Sequence, residues 1–253
     1  MSIYLSGAKP RILAHRGLSR TPTGEAIDEN TIPAFVAAIA AGATHIESDI
    51  QVTSDGIAVL FHDNDLSRVA GRQFLISSLT LEQLNQLKLE HGGSVPTLQE
   101  TLKALPEARF NLDFKTQAAI ASATKVISQC QAQNRVLIAS FSDGRRAAAQ
   151  ALLPQAVGSA GGARAFGLFL CLALGLQPLA RLLAKPVVAL QLPLGAGPVR
   201  FDRAWFIASV HSVGLEVHFW TINEPAEMQR LIGFGADGIV TDRADLAVAA
   251  LLS

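Results

Sequence analysis

Eight short apolar runs alternate with helix-like runs along the chain, and this alternation predicts an α/β fold in which eight parallel strands close into a (β/α)8 barrel. Two further observations agree with it. The 253 residues match the length of one such barrel, about 250 residues. Hydrophobic residues make up 49% of the chain and charged residues 17%, which is ample material for a large core and no compositional sign of disorder. One domain over 1–253 is expected, because no Pro-, Ser- or charge-rich linker and no fixed-period repeat divides the sequence.

The elements follow in order. Residues 11–15 form the first strand, and 31–41 the first helix, with Asn30 as its N-cap and Gly42 as its stop. The second strand is 45–52. Thr53-Ser54-Asp55-Gly56 then reads as a tight turn into a short strand at 57–61. The stretch from about 57 to 95 has no place in the βα rhythm and is expected to be a small insertion after the second strand, at the barrel rim, with a helical start at 79–84 capped by Thr80. Excursions at a rim shape substrate access. A helix at 98–105 resumes the cycle. Strands at 109–114, 135–141, 155–159, 187–192, 216–222 and 238–241 alternate with helices at 117–133, 143–153, 164–183, 202–213, 225–234 and 243–251. Asp202 is a further expected N-cap, and Gly214 and Gly235 are expected stops.

Composition excludes several classes of function. The 21 basic and 21 acidic residues are dispersed and sum to +0, so the cationic footprint of a nucleic-acid-binding protein is absent and a small charged substrate is favoured. Cys130 and Cys171 lie in no CxxC pair and near no histidine cluster, which argues against a disulfide framework and a zinc finger. Reduced thiols and an N-terminus without a signal-peptide pattern suggest a cytoplasmic location. The stretch 165–180 carries no charged residue, and so lacks the polar face of an outer helix. Interrupted by Gly167, Gly175 and Pro178, it is short for a transmembrane span, which needs about 20 residues. It is therefore either buried, under a neighbouring helix or in a homodimer, or in peripheral contact with a membrane or acyl chain.

In a parallel barrel the chemistry gathers at the carboxyl ends of the strands. His15 ends the first strand, followed by Arg16 and Gly17. Glu47 and Asp49, two apart on the second strand, point to the same face. Two carboxylates facing an apolar barrel are costly without a cation. Asp113 adds a third oxygen, and the set suits one divalent ion, Mg2+ or Ca2+, rather than zinc. His15 and His62 are candidates for general acid and base, since imidazole both gives and takes protons near neutrality. Arg16 and Lys115 could offset phosphate charge. Arg16 could equally brace Glu29 at the rim, and Lys115 could be an ordinary ion-pair partner of Asp113. Trp220, at a strand end, is expected to wall the substrate pocket, with Gln191 as a further lining residue. His45, His91, His211 and His218 have no motif around them and are read as structural or surface residues.

Seven segments in order, His15-Arg16-Gly17, Glu29-Asn30-Thr31 with Ala34-Phe35, Ile46-Glu47-Ser48-Asp49, Thr53-Ser54-Asp55-Gly56, His62-Asp63, Asp113-Phe114-Lys115 and Trp220-Thr221-Ile222-Asn223, are similar to those of the glycerophosphodiester phosphodiesterase family. The resemblance spans nearly the whole chain. It implies a TIM barrel with an insertion after the second strand, metal binding by Glu47, Asp49 and Asp113, catalysis by His15 and His62, and hydrolysis of glycerophosphodiesters to glycerol 3-phosphate and an alcohol. Asp28 departs from the family's usual proline, so a differently shaped rim is expected there, and Asp113 departs from its common glutamate, so the metal is expected to sit nearer that strand or to be reached through water. The rival readings are lysophospholipase D type hydrolysis of lysophospholipids and a non-catalytic phosphodiester-binding barrel.

Overall fold

The computed structural model of the chain describes residues 3–20 and 23–252. Its strands are β1 Arg11–His15, β2 His45–Val52, β3 Ala58–Leu60, β4 Phe110–Phe114, β5 Val136–Ala139, β6 Val157–Gly158, β7 Ala189–Leu192, β8 Gly195–Ala196, β9 Val199–Arg200, β10 Glu216–Phe219 and β11 Gly238–Thr241. The helices are α1 Ile32–Ala40, α2 Ser67–Ala70, α3 Leu81–Asn85, α4 Leu98–Ala104, α5 Ala119–Gln129, α6 Asp143–Leu152, α7 Gly162–Ala173, α8 Gln177–Ala184, α9 Ala204–His211, α10 Pro225–Gly233 and α11 Ala244–Leu251.

Eight strands pair in parallel in the order β6-β5-β4-β2-β1-β11-β10-β7. The bridge between Ser159 and Ala189, with Val188 N donating to Gly158 O at 2.9 Å, closes the circle between β6 and β7. The expected (β/α)8 barrel is therefore what forms. Every residue of β2 and of β4 is buried, as in a parallel sheet covered on both faces. Phe35, Phe110, Phe114, Phe206 and Phe219 fill the space between strands and helices.

β3 pairs antiparallel with β2, and the insertion it opens has a core of its own built from Val59, Phe61, Leu66, Val69, Ile76, Leu84, Leu89 and Val95. Thr80 caps α3 and Thr97 caps α4, each in a reciprocal box with the residue three positions on. Asp28 ties the insertion to the rim, accepting from His91 N at 3.0 Å and Gly93 N at 2.8 Å. A proline at position 28 would have no carboxylate for these two donors.

Three sequence expectations are corrected. The cap of α1 is Thr31, whose hydroxyl accepts from Ala34 N, and not Asn30; Asn30 adopts φ +56° and turns its amide to Asp49. Asp202 is not the cap of α9, because Arg200 and Arg230 hold its carboxylate. The helix expected over 164–183 is two helices, α7 and α8, broken at Gly175 with φ +70°, after which Pro178 opens the second.

At the amino ends of the strands an ion-pair network seals the barrel. The guanidinium of Arg11, 2% exposed, grips Glu216 through two bonds of 2.7 and 2.8 Å, and Lys9 reaches both Glu216 and Asp237. Burial opposes the charge on Glu216, yet the bonds from Arg11 and His218 outweigh it and hold the carboxyl well below its ordinary range. Replacing Arg11 by Ala is expected to cost about 3 kcal/mol at neutral pH, because it takes both guanidinium bonds from a largely buried carboxylate and leaves it only Lys9 and His218. Equilibrium urea unfolding measures this. Since the folded value of Glu216 is depressed, its contribution is complete above the unfolded value of about 4.3 and is lost as pH falls, so the gap between wild type and variant narrows in acid.

Candidate active site

Strand register assembles the site. The pairing sets His15 beside Glu47, Glu47 beside Asn111, and Asp49 beside Asp113. Beyond β1 the chain turns sharply, with φ +59° at Arg16 and +89° at Gly17, where a Cβ would meet the backbone carbonyl carbon of Ala34 at 2.7 Å. Only glycine fits there, and the turn carries Arg16 over the mouth of the barrel.

Each histidine is held by its own carboxylate. His15 Nδ1 lies 2.6 Å from Asp242 Oδ1, and Asp242 in turn accepts from Asn223 Nδ2 at 2.8 Å. This leaves His15 Nε2 on the side of Glu47, 4.0 Å from Oε2. Burial disfavours charge on the His15 ring, but the bond to Asp242 and the nearby Glu47 prevail and raise its pKa. His62 Nδ1 lies 2.6 Å from Asp63 Oδ1. From there Arg68 joins Asp63 to Glu29, and Glu29 accepts from Arg16 Nη1 at 3.0 Å. Glu29 therefore braces Arg16, whose Nε also stands 3.4 Å from Asp49 Oδ2.

The acids crowd one end of β2 and β4. Burial, then the charge of Asp49, push the Glu47 carboxyl up to about 8. Asp49 goes the other way: burial opposes its charge, but Lys115 and Arg16 hold its pKa down. Lys115 Nζ sits between Asp49 Oδ1 at 2.8 Å and Asp113 Oδ2 at 2.7 Å, so the ion-pair reading of Lys115 is realised. Among the described residues no three His, Cys, Asp or Glu side chains stand ready-made as a metal cage. The donor set nevertheless fits a hard cation. Asp113 Oδ1 and Asn111 Oδ1 are buried without hydrogen-bond partners, and Glu47 holds a proton that a cation would replace.

A cavity of about 420 Å³ joins these groups, and His15, Arg16, Glu47, Asp49, His62, Asp113 and Lys115 all border it. Trp220 and Gln191 border it as well. Gln191 Nε2 lies 3.4 Å from His218 Nδ1, which orients the amide from behind. The wall opposite the acids is apolar. Phe141, 70% exposed, packs edge-on to Trp220, and Phe166 on α7 is 53% exposed.

Sequence reasoning missed Asp242, Arg68, Asn111 and the role of Asn30, which donates to Asp49 Oδ2 at 3.1 Å and accepts from Ser48 Oγ at 2.7 Å. Asp242 was within reach: it directly follows the last barrel strand, where the strand-end rule applies as much as it does to His15. Nothing local marks Arg68, since its partners Glu29 and Asp63 come from separate loops.

The model of the glycerophosphoryl diester phosphodiesterase family matches residues 15–159 and 176–246. A probable glycerophosphodiester phosphodiesterase 2 of Mycobacterium tuberculosis is 37% identical over 235 residues, 92% of this chain and 88% of that protein. A glycerophosphodiester phosphodiesterase of Caldanaerobacter subterraneus is 26% identical and covers 92% of this chain and 94% of its own. Among solved structures, an Oleispira antarctica phosphodiesterase in complex with the product sn-glycerol-3-phosphate superposes with a TM-score of 0.78 at 24% identity, over 96% of this chain and 97% of that one. At that identity the likeness establishes the fold.

Proposed function

The chain belongs to the glycerophosphoryl diester phosphodiesterase family, and from that premise we propose that it hydrolyses glycerophosphodiesters to glycerol 3-phosphate and an alcohol, with His15 and His62 moving the protons and one divalent cation bound. The observation that carries this reading is the pair of histidines on one cavity, each clamped at Nδ1 by a carboxylate at 2.6 Å. Clamping at Nδ1 leaves each Nε2 as the exchanging nitrogen.

In this mechanism His62 accepts the proton of the nucleophile, a water or the substrate's neighbouring glycerol hydroxyl, as its oxygen bonds to phosphorus. The phosphorus–oxygen bond to the alcohol breaks, and His15 donates its Nε2 proton to the departing alkoxide. Where the glycerol hydroxyl is the nucleophile, water then opens the cyclic phosphate so formed, His15 taking the water's proton and His62 returning its own to the released glycerol oxygen. The raised pKa of His15 suits the donor's part, because the shift favours the protonated ring. Glu47, Asp49 and Asp113 would hold Mg2+ or Ca2+, which when bound draws charge from a non-bridging phosphate oxygen. Lys115 and Arg16 add fixed positive charge beside the phosphate, Glu29 holds Arg16 in place, and Trp220 and Gln191 line the pocket around the alcohol.

The exposed rings of Phe141 and Phe166 favour a second reading, lysophospholipase D type cleavage of a substrate with an acyl chain. Incubation with glycerophosphocholine and lysophosphatidylcholine side by side separates the two. Glycerol 3-phosphate from the first is the expected result, preferential release of lysophosphatidate selects the second reading, and no product from either overturns both.

A further inference from the structure

We propose that α7 and α8 form a docking face for an anionic lipid surface. The second of these helices is turned inside out. α8 buries Ala180 and Ala184 and exposes Leu179 and Leu182, while the turn before it exposes Leu174 by 70% and Leu176 by 45%. On α7, Phe166 and Leu170 stand outward four residues apart, on one stripe. Folding alone does not place leucine outside and alanine inside, because the larger side chain gains more from burial.

Charge selects the occupant. From Gly144 to Phe201 the chain contains no Asp or Glu, yet it carries Arg145, Arg146, Arg164, Arg181, Lys185 and Arg200. Asp143 holds Arg164 and Asp202 holds Arg200. Arg181 on α8 and Lys185 directly after it are exposed and form no ion pair among the described residues. An apolar stripe beside unpaired cations is the pattern of a helix lying in a lipid interface. A second copy docking through the same face by two-fold symmetry would instead bring two cationic, acid-free surfaces together.

Two more observations agree. Trp205, 51% exposed, packs against Phe169 of α7 at 6.5 Å and extends the face with an interfacial aromatic. The family model's matched segments end at 159 and resume at 176, which leaves all of α7 outside the matched pattern. Among the described residues no helix is long and apolar enough to cross a membrane, and the face therefore lies on the surface rather than spanning it. Ala165 and Phe166 border the catalytic cavity, which sets its apolar wall at the edge of the docked face.

The test is co-sedimentation of the full chain with vesicles of phosphatidylglycerol and phosphatidylcholine in equal parts, against vesicles of phosphatidylcholine alone. Binding to the anionic vesicles is expected. Leu170→Glu with Leu174→Glu should weaken it at least tenfold, and Arg181→Glu with Lys185→Glu should remove most of the preference for the anionic lipid, with circular dichroism and thermal melting confirming that both variants fold. A wild type that stays in the supernatant overturns the proposal, as does binding that neither pair of substitutions changes. A chain that ignores vesicles but elutes as a dimer, and becomes a monomer on Leu170→Glu with Leu174→Glu, overturns it in favour of a second copy. Because the readout is binding, these outcomes stand apart from any failure of the phosphodiesterase reading.

Discussion

Replacing His15 by alanine is expected to lower kcat on glycerophosphocholine by about 10²–10⁴-fold, the usual contribution of a positioned acid or base. His62→Ala should do the same. Neither ring belongs to the core, since both border the cavity, so the melting temperature should move little. Asp242→Asn probes the positioning of His15. In the folded chain burial lowers the His15 pKa, and the bond to Asp242 leads the effects that raise it. A donor with a raised pKa stays protonated to higher pH, and its activity falls as pH rises through that value. Asp242→Asn removes that lift, so the alkaline limb of the kcat profile should shift to lower pH. An unshifted profile, or a His15→Ala, His62→Ala double variant with full activity, would sink the proton-transfer scheme.

Removal of divalent metal with EDTA is expected to lower turnover by at least about 10²-fold, given the several kcal/mol such ions supply to charge developing at phosphorus, with recovery on adding Mg2+ or Ca2+. A companion experiment does not depend on turnover. In the metal-free chain burial and Asp49 raise the Glu47 carboxyl to about 8, so at pH 7 it holds a proton that the unfolded chain has already lost. A raised acid costs the fold stability that is lost as pH climbs from its unfolded to its folded value and stays lost above it. Metal binding should release about one proton per ion near pH 7 and raise the melting temperature, and Glu47→Gln should abolish that proton release. Calorimetry in buffers of different ionisation enthalpy measures the count. No proton release and no thermal shift with either ion would remove Glu47 from the metal site.

The elements of this chain were legible because barrel strands buried on both faces read as apolar runs, and helices announce themselves through glycine stops and turn residues such as Gly42, Gly214 and Gly235. The site was legible to the extent that its residues sit at strand ends or alternate along one strand: His15 closes β1, Trp220 follows β10, Asp113 lies one residue before the end of β4, and Glu47 and Asp49 share a face of β2. Helix ends were harder. Asn30 and Asp202 are ordinary capping residues, but each found a stronger partner far away in sequence, Asp49 for one and Arg230 for the other, and a single window cannot reveal that competition.

The sequence by itself determined the order of strands and helices, the chemical kit at the strand ends and the family, since these depend on local periodicity and on residue types along the chain. Only the tertiary structure decided that Asp242 and Asp63 hold the two rings, that Lys115 sits between two of the acids, that Arg68 links the insertion to Glu29, and that α8 turns Leu179 and Leu182 outward. Those contacts join residues up to 227 positions apart. Parallel register and barrel closure bring them together, and neither leaves a mark in any short stretch of sequence.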